Sequence, residues 1–220
     1  INLSAEGTSN CYIAHTGKAY KFDASVKGNG KGDGRSDYIA AYGTGISGVA
    51  AAELLWESRN DGDKTMSREI IDGAPVYKEG YVAFATGRSQ GNAVIAVKDG
   101  AILWSWHIWY PEAEVAGLNS KTGYEVMNMN LGAMHNTPGD VGSYGLLYQW
   151  GRKDPFPAAP TLTGTTATVG APIYDGDNNE IKITNSSQSS TADNNLAFAI
   201  ANPTVCLSNY CLLYTSPSPR

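Results

Sequence analysis

The sequence predicts a mainly β protein with an antiparallel β-sandwich, and three observations lead to that fold class. Of the 220 residues, 42% are hydrophobic and only 17% are charged, below the roughly 25% typical of soluble domains. Short apolar stretches recur between glycine-marked turns, which is the spacing of sheet strands. Residues 102–109 also alternate large side chains in the two-residue period of a strand.

The first predicted strands lie near the amino end. Residues 11–15 and 19–22 are apolar stretches separated by a Thr-Gly-Lys tripeptide, which predicts a compact hairpin. Residues 28–37 are rich in glycine and charge and predict a loop, and residues 59–63 predict a turn. Residues 49–57 fit a helix or a strand by propensity, and their short length favours a strand.

Three further strands are predicted in close order, at residues 81–85, 92–97 and 102–109. Asp99-Gly100 joins the last two, and this dipeptide adopts the positive φ angles of a tight hairpin. The two-residue period divides the last strand into two faces. We interpret one as the core face, and it carries Ile102, Trp104, Trp106 and Ile108. The other carries Leu103, Ser105, His107 and Trp109.

The character of the sequence changes after residue 112. Residues 123–132 contain one strand-like stretch, and residues 144–156 are dense in aromatic residues and glycine. Residues 157–195 consist mostly of Thr, Ser, Ala, Asn and Pro, which predicts a long polar loop. Within that loop, residues 180–183 predict one strand.

Composition excludes two classes of partner. The formal net charge is −5, and the chain has no basic stripe of the kind that releases phosphate counterions, so we expect no nucleic-acid binding. No apolar run approaches the roughly 18 residues of a membrane helix, so we expect no membrane span.

Motifs for catalysis or metal binding are weak. His15, His107 and His135 stand at no metal-ligand spacing and are interpreted as ordinary residues. The sequence has no G-x-S-x-G elbow, and the glycine-rich residues 28–36 do not place lysine as a phosphate loop does. Residues 175–180 begin like a calcium loop but lack its glycine and last ligand, which favours an ordinary turn.

Nothing in the sequence ties paired carboxylates to a cleft, so we expect no enzyme and no cofactor. The candidates for such a pair were Glu53, Glu57, Glu112 and Glu114. Trp109 and Tyr110 end a strand beside a loop, where aromatic rings can stack on a sugar, which makes them candidate ligand contacts. Packing in a core or an interface is the favoured interpretation of both rings.

Several motifs carry a family resemblance. Residues 10–13, 20–22, 91–96 and 102–109 resemble surface proteins of Bacteroidales gut bacteria, which are labelled fimbrillin-family proteins or lipoproteins. Two later stretches are similar to the opening of the Fibrobacter succinogenes major paralogous domain. One is Met-Asn-Met-Asn-Leu-Gly-Ala, which begins at Met127. The other runs from Tyr144 to Phe156 and contains the motif Leu-Tyr-Gln-Trp-Gly-Arg-Lys-Asp-Pro-Phe. That module is itself similar to C-type-lectin-like folds.

The chain departs from the family pattern at two places. Asn128 and Met129 stand where the family usually has an Asp-Arg pair, which puts an ion-paired role for this segment in doubt. The downstream Cys-Pro-x-Gly-Trp-Arg-x-Pro segment is missing. Most of the ligand surface of the lectin-like module would then be missing too. The resemblance transfers no catalytic residue, because none is established for the family.

The last ten residues resemble one reading frame of a transposase-type sequencing adapter. We therefore expect residues 211–220 to be a non-native tail and the natural sequence to be a fragment ending near Tyr210. Cys211 belongs to this tail, which leaves Cys11 and Cys206 as either a disulfide or two separate thiols.

Together these observations predict an Ig-like β-sandwich at residues 1–112 and a truncated lectin-like α+β module at residues 113–210. The resemblance implies a non-enzymatic, exported protein of the outer-membrane surface or fimbriae, acting in adhesion or ligand binding. Its partners would be a glycan, a surface protein or fimbrial subunits. Two alternatives are a carbohydrate-binding accessory module of a polysaccharide-utilisation system and a purely structural stalk domain.

Overall fold

The computed structural model describes residues 1–15, 17–31, 43–59, 69–119, 121–149, 152–157, 172–186, 194–207 and 212–214. Within these ranges the chain forms sixteen strands, most of them paired antiparallel, and a single α-helix. The predicted mainly β class is confirmed, and the sheets are arranged as in a β-sandwich. No helix in the described ranges has the length and apolar character needed to cross a membrane.

The larger sheet has six strands in the spatial order β1-β7-β6-β3-β12-β13. All neighbours in it are antiparallel except β1 and β7, which are parallel. The strand bounds are Cys11–Ile13 (β1), Ala51–Ser58 (β3), Gly91–Asp99 (β6), Ala101–Tyr110 (β7), Ile173–Tyr174 (β12) and Glu180–Ile181 (β13).

A smaller antiparallel sheet, in the order β2-β5-β4, packs across the core from the larger one. Its strands are Ala19–Asp23 (β2), Ile71–Lys78 (β4) and Tyr81–Thr86 (β5). The strands predicted at residues 49–57, 81–85, 92–97 and 102–109 correspond to β3, β5, β6 and β7, and are confirmed.

Aromatic rings fill the core between the two sheets. Phe22 lies 5.0 Å from Trp106 and 5.1 Å from Tyr12, measured between ring centroids. Phe22 and Trp106 are fully buried. Burial of such large side chains is the main source of stability in a sandwich of this size.

The predicted core face of β7 is confirmed at three positions and wrong at one. Trp104, Trp106 and Ile108 all lie in the main core. Ile102 instead packs on the opposite face of the sheet, while Leu103 packs against the core. The reason is a bulge: Val97 pairs with Trp104 but Lys98 pairs with Ile102, so one extra residue reverses the alternation.

The predicted hairpin between residues 11–15 and 19–22 is wrong. β1 pairs with β7 in the larger sheet, while β2 pairs with β5 in the smaller one. The two strands therefore face each other across the core, where Tyr12 stacks on Phe22. Burial of both rings between the sheets accounts for this crossing better than side-by-side pairing does.

The outer face of the larger sheet is also covered. A second apolar cluster there joins Trp56 and Val94 to Ile173, and a third joins Trp109 to Met129 and Ala133. Because β12 and β13 belong to this sheet, the predicted segments on either side of residue 112 share one sheet.

The remaining elements are short. They are β8 (Gly117–Asn119), β9 (Glu125–Met127), a 3₁₀ turn (Val141–Ser143), β10 (Leu146–Gln149), β11 (Phe156–Pro157), β14 (Thr184–Ser186), α1 (Asn194–Ala201), β15 (Val205–Leu207) and β16 (Leu212–Tyr214). β8 and β9 form a hairpin, β14 and β15 pair in parallel, and β10 pairs with β11 and β16. β16 lies in the stretch that resembles an adapter.

The predicted polar loop at residues 157–195 is only partly described. Residues 158–171 and 187–193 lie outside the described residues. The rest contains β12, β13 and β14, of which only β13 was predicted. The predicted loop at residues 28–37 and the turn at residues 59–63 also fall largely outside the described residues.

Candidate functional site

A cluster of polar side chains lies on the outer face of the larger sheet. Ser105 and His107 of β7 are both buried, with 1% and 4% of their surface exposed. β7 directs them away from the core because they alternate with Trp104, Trp106 and Ile108. The segment that follows β10 supplies the hydrogen-bond partner of Ser105. The partners of His107 come from β1 and β6, and the segment after β9 binds one of them, Asn92.

One half of this cluster is a hydrogen-bonded chain of Cys11, His107, Asn92 and Gly132. The Cys11 Sγ lies 3.1 Å from His107 Nδ1, and His107 Nε2 lies 2.9 Å from Asn92 Oδ1. The Asn92 Nδ2 group donates to the Gly132 carbonyl at 2.8 Å. Since the amide N–H is used there, Asn92 Oδ1 accepts from His107 Nε2–H, and Nδ1 is left to accept the thiol proton.

Both titratable groups of this chain are neutral at neutral pH. Burial lowers the pKa of His107 to about 4, against a weaker opposing effect of Asp154. Burial raises the pKa of Cys11 to about 12. Cys, His and Asn are the residue types of thiol acyl-transfer enzymes, but those enzymes use a thiolate. Here Cys11 is a thiol. The hydrogen-bonded chain connects β1, β7 and β6 to the segment after β9.

The other half of the cluster is formed by Ser105, Lys153 and Asp154. The Ser105 hydroxyl donates to Asp154 Oδ2 at 2.8 Å, and Lys153 Nζ lies 2.8 Å from Asp154 Oδ1. Lys153 also donates to the backbone carbonyl and the hydroxyl of Ser105 and lies over the Trp104 ring. Burial lowers the pKa of Lys153, while Asp154 acts in the opposite direction. The buried pair fastens the later segment to β7.

Arg152 and Gln149 bind backbone groups of the last described segments. The Arg152 guanidinium donates to the carbonyls of Asn202, Pro203 and Val205 and stacks over Phe156. The Gln149 side chain exchanges two hydrogen bonds of 2.8 Å with the Leu207 backbone. The polar residues described in the family-like motif thus make internal contacts, while Trp150 and Gly151 lie outside the described residues.

The structure places the two predicted ligand contacts in the interior. Trp109 and Tyr110 are each 1% exposed. Trp109 packs with Met129 and Ala133, and its Nε1 donates to the Ala133 carbonyl at 2.8 Å. Tyr110 belongs to the main core. Packing, the favoured interpretation, accounts for both rings, and neither offers a face to a ligand in this structure.

Asn128 and Met129, the two residues at which the chain departs from the resembled pattern, have structural partners. The Asn128 side chain donates to the Glu114 carbonyl and accepts from the Ala116 N–H, at 2.9 and 3.0 Å. Met129 is buried against Trp109. This segment is therefore held by an amide and by apolar packing.

The other candidate residues are dispersed. Glu57 is buried and accepts from the Ile71 N–H, and Glu112 pairs with Arg59. His15 is exposed, and His135 Nε2 lies 3.4 Å from Asp140. Asp175 accepts from the N–H groups of residues 177 and 179, which confirms the predicted turn there. The structure brings only His107 into a cluster of functional side chains.

Exposed apolar side chains are concentrated on the β8–β9 hairpin. In the described part of the chain five large hydrophobic side chains are exposed, and three of them belong to residues 117–127. They are Leu118, Tyr124 and Met127, with Tyr124 74% exposed. Leu118 lies opposite Val126 in the ladder. Sequence reasoning missed this surface because β8 is only three residues long.

Searches of protein-family models, curated proteins and solved structures each returned no match to this chain. The functional argument therefore depends on the residues and their geometry.

Proposed function

We propose that this chain is a non-enzymatic, exported cell-surface or fimbria-associated protein that acts in adhesion or ligand binding. Its scaffold would be an Ig-like β-sandwich followed by the start of a lectin-like module. The resemblance to Bacteroidales surface proteins supports the location, and the low charged fraction agrees with it.

The distribution of side chains carries the proposal. The polar side chains that could take part in a reaction point inward and are hydrogen-bonded to other parts of the protein. They are Cys11, Asn92, Ser105, His107 and Asp154. Three of the five large apolar side chains that are exposed in the described part of the chain lie on the β8–β9 hairpin. Clustered exposed apolar residues are typical of contact surfaces, and contact residues are often found on connecting segments held by a sheet scaffold.

An adhesion assay tests this function. Beads coated with the protein are expected to adhere to a mucin-coated surface, and the double variant Leu118→Ala/Tyr124→Ala is expected to lose most of that adhesion. Val76→Ala is the matched control, because Val76 is 59% exposed but lies on β4. Equal adhesion by all three proteins would refute the hairpin as the contact surface.

A carbohydrate-binding accessory module is the second candidate, and exposed Tyr124 favours it. An aromatic ring can stack on a sugar, whereas Leu118 cannot. Binding on a glycan array that is lost in Tyr124→Ala but kept in Leu118→Ala would support this candidate. A protein that binds no glycan and adheres to no surface, but co-purifies with surface polymers, would instead be a stalk.

A further inference from the structure

A small pocket lies beside the β8–β9 hairpin. Met127, the last residue of β9, lines it together with the segment that follows and with Ser143 of the 3₁₀ turn. Its volume is about 210 Å³, below the roughly 300 Å³ at which pockets for drug-sized ligands begin. We therefore expect it to hold a group the size of one sugar ring or a part of one.

The described lining of this pocket is uncharged and rich in amide groups. Four of its six residues have polar side chains, and these are Asn128, Asn130, Asn136 and Ser143. An asparagine amide both donates and accepts hydrogen bonds, so this lining suits a neutral ligand that does the same. Met127, which is 43% exposed, adds an apolar contact.

Hydrogen bonds to the backbone hold two of the amides in place. Asn130 Nδ2 donates to the Ser143 carbonyl at 2.8 Å, so its oxygen can accept from another group. Asn128 donates to the Glu114 carbonyl and accepts from the Ala116 N–H. These bonds use one N–H and one lone pair of the Asn128 amide, which has two of each. Amides that are oriented before a ligand arrives lower the entropic cost of binding.

The third amide, that of Asn136, is exposed and has no hydrogen-bond partner among the described residues. The segments on the two sides of the pocket are joined by backbone hydrogen bonds. The Met134 N–H donates to the Gly142 carbonyl at 2.7 Å, and the Leu146 N–H donates to the Leu131 carbonyl at 2.9 Å. A substitution of Asn136 can therefore test ligand binding without breaking a hydrogen bond of the described fold.

We propose that this pocket binds the acetamido group of an N-acetylhexosamine. That group has a carbonyl acceptor and an N–H donor, which match the asparagine amides, and a methyl group, which matches the Met127 side chain. The hydroxyls of the sugar ring both donate and accept, as Asn136 and Ser143 do. The proposal rests on the glycan-binding function proposed above and names the class of sugar.

An acetylated lysine carries the same acetamide at the end of an apolar four-carbon stem. The sugar is favoured over it because most of the described lining is polar, and a ring with hydroxyls satisfies polar groups that a methylene stem would leave without partners.

Saturation-transfer NMR of the full chain with four small probes tests the proposal. The probes are the methyl glycosides of N-acetylglucosamine, N-acetylgalactosamine and glucose, and N-acetyl-lysine methylamide. We expect saturable binding of at least one N-acetyl sugar, with a Kd of about 1 mM, and the strongest saturation transfer at its acetyl methyl protons. Methyl glucoside, which lacks the acetamido group, should bind at least about tenfold more weakly.

Two variants place the sugar in this pocket. Asn136→Ala is expected to weaken the binding of the N-acetyl sugar about fivefold, and Met127→Ala about threefold, with the melting temperature unchanged in both. Asn119→Ala is the matched control, because it removes an exposed amide of β8 that does not line the pocket.

Several results would overturn the sugar assignment while the glycan-binding function stood. They are equal affinity for methyl glucoside, tighter binding of the acetyl-lysine probe, and full binding of the N-acetyl sugar by both folded variants. Glycan-array binding without any binding of N-acetyl sugars up to about 50 mM would have the same meaning. A chain that bound no glycan in either experiment would refute the assignment and the glycan-binding function together.

Discussion

At the scale of single residues, Asn92 sets the protonation of its neighbours. Its amide N–H binds the Gly132 carbonyl, so its oxygen faces His107 and requires a proton on Nε2. The thiol of Cys11 then keeps its own proton. Reversal of the Asn92 amide would place its oxygen against the Gly132 carbonyl and its NH₂ group against His107 Nε2–H. Each buried mismatch of this kind costs about 1–3 kcal/mol.

His107 should make the protein sensitive to acid. The pKa of its imidazole is about 4 in the folded protein and 6.5 when unfolded. Between these values the unfolded state binds the additional proton, so stability is present above pH 6.5 and is lost as pH falls toward 4. The loss attributable to His107 is about 3 kcal/mol. Denaturant titrations of wild type and His107→Gln at several pH values measure it, and parallel pH profiles would contradict it.

Trp109 should matter for folding. Its ring is 1% exposed and its N–H is hydrogen-bonded, so Trp109→Ala should lower the free energy of unfolding by about 3–5 kcal/mol. Trp109→Phe keeps most of the packing and should lose less. Chemical denaturation compares the two variants. If Trp109→Ala instead had wild-type stability but had lost glycan binding, the result would support Trp109 as a ligand contact.

At the scale of elements, the β6–β7 hairpin shows what local sequence can determine. The Asp-Gly dipeptide predicted a tight turn, and Gly100 has the required φ of +71°. Pairing runs from Asp99–Ala101 to Gly91–Tyr110. Alternating apolar residues and a local turn signal were sufficient here, because both strands of the hairpin are neighbours in sequence.

Gly100 is expected to be the sensitive position of this turn. Gly100→Val places a β-branched residue in the left-handed region, and we expect a loss of about 1–2 kcal/mol. Gly100→Asn is the matched variant and should lose less, because Asn tolerates that region. Thermal unfolding distinguishes them, and equal melting temperatures would argue against the positive φ.

Elements whose partners are distant in sequence could not be predicted in the same way. β1 was assigned to a hairpin with β2, but it pairs with β7, almost a hundred residues away. β12 is two residues long and joins β3 across a comparable separation. α1 was missed because Asn194–Ala201 follows a polar stretch and is only eight residues long. The clustering of Cys11, Asn92 and His107 likewise depends on sheet pairing rather than on spacing.

At the scale of the whole molecule, the larger sheet is buried on both faces. The smaller sheet covers one face, and segments after residue 112 cover the other. This arrangement explains how one strand can carry tryptophan on both sides, as β7 does at Trp106 and Trp109.

A protein ending at residue 112 should therefore be compromised. It would expose Trp109 and Val94 and lose the partners of Ser105. We expect it to bind a hydrophobic dye and to aggregate, because large exposed apolar patches favour association. Size-exclusion chromatography and dye fluorescence of the shortened and full chains provide the comparison. A soluble, monomeric, cooperatively folding product would show that residues 1–112 are an independent domain.

The internal contacts of one polar run affect what a sequence similarity in that run can mean. The run contains Gln149, Arg152, Lys153 and Asp154. A run of residues can be distinctive because it locks parts of a chain together, without touching any external molecule. Two proteins that both have this run would share the same internal packing of these segments, while the sequences of their exposed hairpins and sheet edges could still differ. Likeness in this stretch is therefore evidence of common architecture, while ligand specificity has to be sought where the chain meets solvent.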